Sequence, residues 1–149
     1  MLDKPLIFQR CVDVLQERIK QMQSERTQVQ TSANEETKSS VGDKYETGRA
    51  MAQLEIERFT QQLLETERLL NRLLELKEVQ IQDRVVAGSL VHTSQGYFYI
   101  SVSLGMIELD GQSFYCISPE APLGRELLGK GIGDQVGING RLFQVMAVS

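Results

Sequence analysis

Two acidic residues, Asp43 and Glu46, have the type and spacing of a pair that can hold a metal ion. They lie i, i+3 at the predicted start of a helix, so both carboxylates fall on one helix face. Such a pair suits a hard cation such as Mg²⁺, which takes six oxygen ligands, so water or a partner must supply the remainder. The same spacing is typical of a capping box, with Asp43 as N-cap and Glu46 at N3. The two interpretations are compatible, because a carboxylate has spare lone pairs.

Other chemistry is poorly supported by the residue types present. His92 is the only histidine, and Cys11 and Cys116 are the only cysteines, too few for a zinc site built from His and Cys alone. His92 has no evident partner and is predicted to be structural or at the surface. Two distant cysteines are not a disulfide framework and are typical of a reducing cytoplasm. Cys116 is predicted to be a small buried strand residue. Nucleotide binding is disfavoured because the spacing of four glycines does not match a known phosphate-binding loop. These are Gly124, Gly129, Gly131 and Gly133.

Composition limits the class of protein. The chain has 149 residues, 41% of them hydrophobic, which predicts ordered domains. Its net charge of -4 excludes a basic nucleic-acid binder, and no independent sequence-specific DNA binding is expected. No apolar run is long enough to span a membrane and no secretory signal is visible, so we expect a cytoplasmic protein.

Glycine and proline divide the chain into two predicted domains. Residues 1–84 contain two glycines, whereas residues 85–149 contain the other ten. The stretches 6–41 and 49–87 contain neither helix breaker. We therefore predict a helical domain over residues 1–82 and a second domain over residues 83–149.

Heptad spacing in the first domain predicts a coiled coil. The spacing is interrupted at Arg26 and at Thr66. One predicted break, at residues 31–42, separates two helices that should fold back as an antiparallel hairpin with an acidic tip near residues 33–46. An ordinary two-stranded coiled coil used for dimerisation is the alternative. The apolar heptad positions are Phe8, Val12, Leu15, Ile19, Met22 and Val29, followed by Ile56, Phe59, Leu63, Leu70 and Leu73.

The second domain is predicted to be an antiparallel sheet with one short helix, which makes the whole chain α+β. Predicted strands cover residues 85–91, 97–102, 106–109, 112–117, 134–138 and 142–148. Asp110-Gly111 and Asn139-Gly140 are strong signals for tight hairpin turns. The short helix covers residues 122–129 and ends at a glycine.

One stretch is more specific than composition or spacing: Ile117-Ser-Pro-Glu-Ala-Pro-Leu-Gly-Arg-Glu-Leu-Leu-Gly-Lys-Gly-Ile-Gly-Asp-Gln-Val136. It looks like the C-terminal signature of the bacterial Gre transcript-cleavage factors, and the resemblance to that family covers nearly the whole chain. Gly88-Ser-Leu-Val91 fits the opening of the same domain. Gly42-Asp-Lys-Tyr-Glu46 resembles the family's tip motif, Gly-Asp-x-x-Glu.

The resemblance implies a fold and a function. The fold is an N-terminal antiparallel coiled coil followed by an FKBP-like domain that docks on RNA polymerase. The coiled coil enters the polymerase's secondary channel, where Asp43 and Glu46 help to hold a Mg²⁺ ion shared with the polymerase near the nascent RNA 3′ end. The chain is then an accessory factor rather than an enzyme, with no cofactor of its own. The implied polymerase-binding residues are Pro122, Leu123, Gly124, Arg125, Leu128, Gly129, Lys130, Gly133 and Asp134.

The sequence departs from the family at the tip. The family usually continues Glu-Asn-Ala-Glu-Tyr, whereas Glu46 is followed here by Thr47-Gly-Arg-Ala50. Three hypotheses therefore remain. The chain is a transcript-cleavage factor, a Gre-fold regulator that occupies the same channel without stimulating cleavage, or a plain coiled-coil adaptor or prolyl isomerase.

Overall fold

A computed structural model describes the backbone of residues 2–39 and 43–149 and the side chains of residues 2–35 and 46–149. The chain divides into two compact units. One unit contains Val14–Leu70, and the other contains Met1–Asp13 together with Asn71–Ser149. The predicted boundary at residues 82 and 83 follows the end of the helical pattern. The two units follow packing instead. Residues 1–13 and 71–82, at the two ends of the predicted helical domain, belong to the same unit as residues 83–149.

Two long helices, α1 (Lys4–Ser39) and α2 (Asp43–Glu75), form the N-terminal part of the chain. Every predicted heptad position is buried or half-buried, because the apolar stripe lies against other apolar groups. Arg26, at the interruption in the first run, is half-buried, and its Nη1 donates to Thr60 Oγ1 at 3.4 Å. The polar side chain of Arg26 is thus accommodated where the two helices meet rather than turned to solvent.

Within the Val14–Leu70 unit, the two helices run antiparallel. Met22 of α1 lines a groove with Gln62 of α2, whereas Thr31, later in α1, lines one with Ile56, earlier in α2. The predicted intramolecular hairpin is therefore confirmed. Its predicted far end, at Gly42, lies outside the described residues.

The predicted break at residues 31–42 is wrong for most of its length, because α1 continues to Ser39. The segment is polar, yet it contains neither glycine nor proline before Gly42. Gln30 Nε2 donates to Asn34 Oδ1 at 3.4 Å, a pairing of i, i+4 side chains that supports an exposed helix. The segment therefore forms a helix although it lacks the regularly spaced apolar residues from which a helix is predicted.

The C-terminal part is one six-stranded sheet with a single short helix, α3 (Pro122–Leu127). The strand order is β3-β4-β2-β1-β6-β5. The strands are β1 (Leu90–Thr93), β2 (Gly96–Ile100), β3 (Gly105–Leu109), β4 (Gln112–Ile117), β5 (Gln135–Ile138) and β6 (Arg141–Val148). This confirms the predicted α+β class.

Two details of the sheet differ from the prediction. The pair β2–β4 is parallel, so the sheet is mixed rather than purely antiparallel. The first strand begins at Leu90 instead of residue 85, because residues 86–89 form a turn. Ser89 N donates to Val86 O at 3.0 Å, and Gly88 has φ +99°, a conformation that favours glycine.

The sheet buries both of its faces. One face packs with α3 around a core that includes Phe98, Ile100 and Leu127. Tyr99 lies between Phe98 and Ile100 on β2, so it points to the opposite face. Cys116 is beside Tyr99 in the β2–β4 register, and Cys116 contacts Cys11 in the first part of α1. The N-terminal end of α1 thus covers this second face.

Among the described residues, no helix is long and apolar enough to cross a membrane.

Candidate functional site

The predicted acidic pair lies at the beginning of α2. Asp43 is the first residue of the helix and Glu46 follows one turn later, so the backbone gives them positions on the same helix face. Glu46 is exposed. The Asp43 side chain lies outside the described residues, so the capping box and the metal pair both stay predictions.

Carboxylates do not gather elsewhere into a metal centre in the described part of the chain. No group of three or more His, Cys, Asp or Glu side chains has the geometry to hold a metal ion there. Glu35, near the end of α1, is exposed, as is Glu46 near the start of α2. An oxygen set built on Glu46 therefore needs ligands from outside the described residues to reach six.

The signature residues of the C-terminal part begin with a tight packing point at Gly124 in α3. A Cβ built on Gly124 would lie 2.2 Å from the carbonyl oxygen of Ser118 and 3.0 Å from Pro119 Cα. Gly124 is accordingly buried against the backbone that leads into the helix. Its place in the signature has a packing cause, since no other residue fits this close approach.

A loop after α3 is fixed by main-chain hydrogen bonds. Gly129 N donates to Val85 O at 2.8 Å, and Val85 N donates to Lys130 O at 2.9 Å. Arg84 Nη1 also donates to Gly129 O at 2.8 Å. Gly129 has φ +81°, which explains a glycine at the end of the helix.

The next turn is closed by Asp134. Its Oδ2 accepts a hydrogen bond from Gly131 N at 2.8 Å, and its backbone nitrogen donates to Gly131 O at 3.1 Å. Gly133 N and Asp134 O then pair with the backbone of Val145 on β6, each at 2.8 Å. The carboxylate of Asp134 is therefore engaged in holding the turn, a structural role that the sequence did not reveal.

The side chains that the signature presents to solvent are chemically mixed, and they include the acidic residues Glu120, Glu126 and Asp134. Arg125 is exposed and cationic, while Leu128 and Ile132 are apolar with 38% and 69% of their surface exposed. A fixed backbone that displays charged and apolar groups together is suited to contact with protein. The predicted site residues Pro122, Gly129, Gly133 and Asp134 are also exposed, Leu123 and Lys130 are half-buried, and Gly124 is buried.

One contact of chemical interest was not predicted from the sequence. Cys11 Sγ and Cys116 Sγ lie 3.1 Å apart, although the two residues are 105 positions apart in the sequence. Both thiols are free and buried. The only signal in the sequence was the presence of just two cysteines, which gives no information on distance. Cys116 is buried on β4 as predicted.

His92 stacks on Tyr97, with ring centroids 4.2 Å apart, in line with its predicted structural role.

The described parts define a protein that combines an antiparallel helical hairpin with a small mixed sheet. No protein-family model matches the sequence, and no curated protein sequence matches it. A solved structure, titled "Structure of the transcription factor Gfh1", is similar to the chain at 21% sequence identity. The match covers 92% of each chain with a TM-score of 0.36. A likeness this distant does not assign a function.

Proposed function

We propose that this chain is an accessory factor of bacterial RNA polymerase that stimulates cleavage of backtracked nascent RNA. The observation that carries the proposal is the acidic pair Asp43 and Glu46 at the start of α2, in one arm of an antiparallel hairpin. The part of α2 from Asp43 to Leu70 is about 40 Å long at 1.5 Å per residue. Two packed helices of this length make a narrow rod with carboxylates at one end, which suits delivery of acidic groups through a channel.

The two carboxylates cannot complete a Mg²⁺ site by themselves. Mg²⁺ takes six ligands, so the ion is to be shared with the polymerase active centre. A second metal ion in such a centre activates water and stabilises the charge that develops on the phosphate during cleavage. Asp43 and Glu46 would supply oxygen ligands and negative charge. The nuclease is then the polymerase, and the chain is not itself an enzyme.

The C-terminal part is proposed to dock on the polymerase. Arg125, Leu128 and Ile132 are exposed while their backbone is fixed by the hydrogen bonds of the loop. A preformed surface loses little conformational entropy on binding, which favours its use as the docking point. Such a factor would work in the cytoplasm, where the polymerase acts.

A second candidate function is supported by the residues after the acidic pair. Thr47-Gly-Arg-Ala50 replaces the carboxylate and aromatic residues that the resemblance leads one to expect there. A rod that enters the channel without completing the metal site would inhibit the polymerase rather than stimulate cleavage. The two candidates share polymerase binding and differ in RNA shortening.

The test is a cleavage assay on stalled, backtracked transcription complexes. The unaltered chain should shorten the RNA, while Asp43→Asn and Glu46→Gln should slow shortening by at least about tenfold without loss of polymerase binding. Asn is as good an N-cap as Asp, so Asp43→Asn separates metal holding from capping. Glu57→Gln is the matched control, since Glu57 is exposed on the same helix about 16 Å from Glu46. Polymerase binding without cleavage by the unaltered chain would favour the second candidate, and absence of binding would reject both.

A further inference from the structure

The two cysteines of the chain meet at the contact between α1 and the sheet. Their Sγ atoms are 3.1 Å apart, which is closer than two sulfur atoms in ordinary van der Waals contact. Cys11 has none of its surface exposed and Cys116 has 1%. Because the chain contains no other cysteine, any disulfide within it must join these two residues.

The surroundings of the pair favour a protonated, slowly reacting state. The hydrogen bond with Cys11 and burial raise the pKa of the Cys116 thiol above its usual range. Tyr99 lies beside Cys116 across the β2–β4 register, and burial raises the pKa of the Tyr99 hydroxyl. The Ser101 hydroxyl is buried without a hydrogen-bond partner among the described residues.

We propose that Cys11 and Cys116 are a redox modification site that is converted to an intramolecular disulfide by small-molecule disulfides of the glutathione type. The bond would tie the first turns of α1 to β4 covalently. This inference is independent of the proposed function, since it concerns only the chain itself.

The reaction proceeds in two exchanges. One thiol, after losing its proton, attacks the small-molecule disulfide, forms a mixed disulfide and releases one small thiol. The second protein thiol attacks the mixed disulfide at the protein sulfur and releases the second small thiol. The protein loses two electrons and two protons in total, and the small-molecule disulfide gains them. Because both thiols are buried, the first exchange requires transient opening of the α1 contact.

The equilibrium should depend strongly on folding. In the unfolded chain, a sequence separation of 105 positions keeps the two sulfurs far apart, whereas folding holds them in contact. The disulfide and the native fold must stabilise each other by the same factor, on the order of a thousandfold for a loop of this length. The oxidised chain should consequently unfold at a higher temperature than the reduced chain.

The experiment equilibrates the full chain in glutathione buffers of graded ratio, under native conditions and in denaturing urea. Intact-mass measurement distinguishes the intramolecular disulfide, which removes two hydrogen atoms, from glutathione adducts and from dimers. The equilibrium constant for the intramolecular disulfide should be at least a hundredfold larger under native conditions. Dithiothreitol should restore both thiols and the lower melting temperature.

Two results would overturn the inference. One is a native equilibrium constant less than a hundredfold above the value in urea. The other is oxidation that yields only mixed disulfides or dimers. Cys11→Ser and Cys116→Ser provide the matched controls, and each should stop at the mixed disulfide. The comparison of native and unfolded wild-type chains stands without these variants, so a folding defect in either would not affect the outcome.

Discussion

Replacing Gly124 by alanine is a sharp test of how the signature segment is built. The new methyl carbon would lie 2.2 Å from Ser118 O and 3.0 Å from Pro119 Cα. Both neighbours are backbone atoms, so no side-chain rotation can relieve the clash. Ser118 O also accepts a hydrogen bond from Ala121 N at 3.1 Å, which fixes the turn before α3. Either α3 or this turn must move.

The size of the effect follows from two opposing contributions. Forcing an extra methyl group into a packed site costs about 1–3 kcal/mol, and contact with backbone puts this case at the upper end. Alanine in place of glycine in a helix recovers about 1 kcal/mol. The net loss in the free energy of unfolding should be about 2 kcal/mol. For a chain of this size, that corresponds to a melting temperature lower by about 4–8 °C.

The measurement is thermal unfolding followed by circular dichroism, with Gly137→Ala as the matched control. A Cβ on Gly137 would lie 3.7 Å from Leu142 Cδ2, which is ordinary contact, and Gly137 sits in a strand. Alanine there should leave stability unchanged or raise it by about 0.5–1 kcal/mol. Equal melting temperatures for the two variants would refute the packing explanation of Gly124 and would leave partner contact as the reason for that glycine.

Two further predictions concern the core. Leu73→Ala should lower the free energy of unfolding by about 2–5 kcal/mol because Leu73 is fully buried, whereas Leu74→Ala, at a residue 47% exposed, should change it by less than about 1 kcal/mol. Urea denaturation of both variants checks this, and equal losses would contradict the burial of Leu73. Burial raises the pKa of Tyr99, and the nearby Cys11 and Cys116 raise it further. Its native hydroxyl therefore stays protonated where the unfolded one ionises, so stability should fall as pH rises above about 10, by up to about 1.4 kcal/mol per pH unit. The stability of Tyr99→Phe, measured by urea denaturation at pH 9–11, should fall less steeply with pH than that of the unaltered chain. An unchanged slope would contradict the assignment of this pH dependence to Tyr99.

Local sequence signals predicted much of the fold. Heptad spacing identified residues that are buried or half-buried along both helices, but it did not identify the fully buried Ile7 and Cys11 of α1. Asp110-Gly111 and Asn139-Gly140 predicted tight turns, and all four residues have positive φ between 50° and 79° in the structure. Such backbone angles suit these residue types at these positions, so the sequence carries the turn directly.

Features that depend on distant contacts could not be predicted. The parallel pairing of β2 with β4 requires Tyr97 to lie beside Phe114, and no local pattern specifies this. The Cys11–Cys116 contact is likewise created by folding alone. At the candidate site, the sequence supplied Asp43 and Glu46 as residue types and spacing. It did not show that Asp134 closes a turn or that Gly124 is needed for packing.

The Mg²⁺ dependence of RNA shortening in backtracked complexes tests the central claim most directly. If Asp43 and Glu46 supply ligands to a shared ion, the unaltered chain should lower the Mg²⁺ concentration needed for half-maximal cleavage. Glu46→Gln should raise that concentration, excess Mg²⁺ should partly restore its rate, and Glu57→Gln should match the unaltered chain. Asp43→Asn combined with Glu46→Gln should cost little more than either change alone, because both act on one ion. Identical Mg²⁺ curves for the unaltered chain and Glu46→Gln, or no acceleration of cleavage at any Mg²⁺ concentration, would contradict the account.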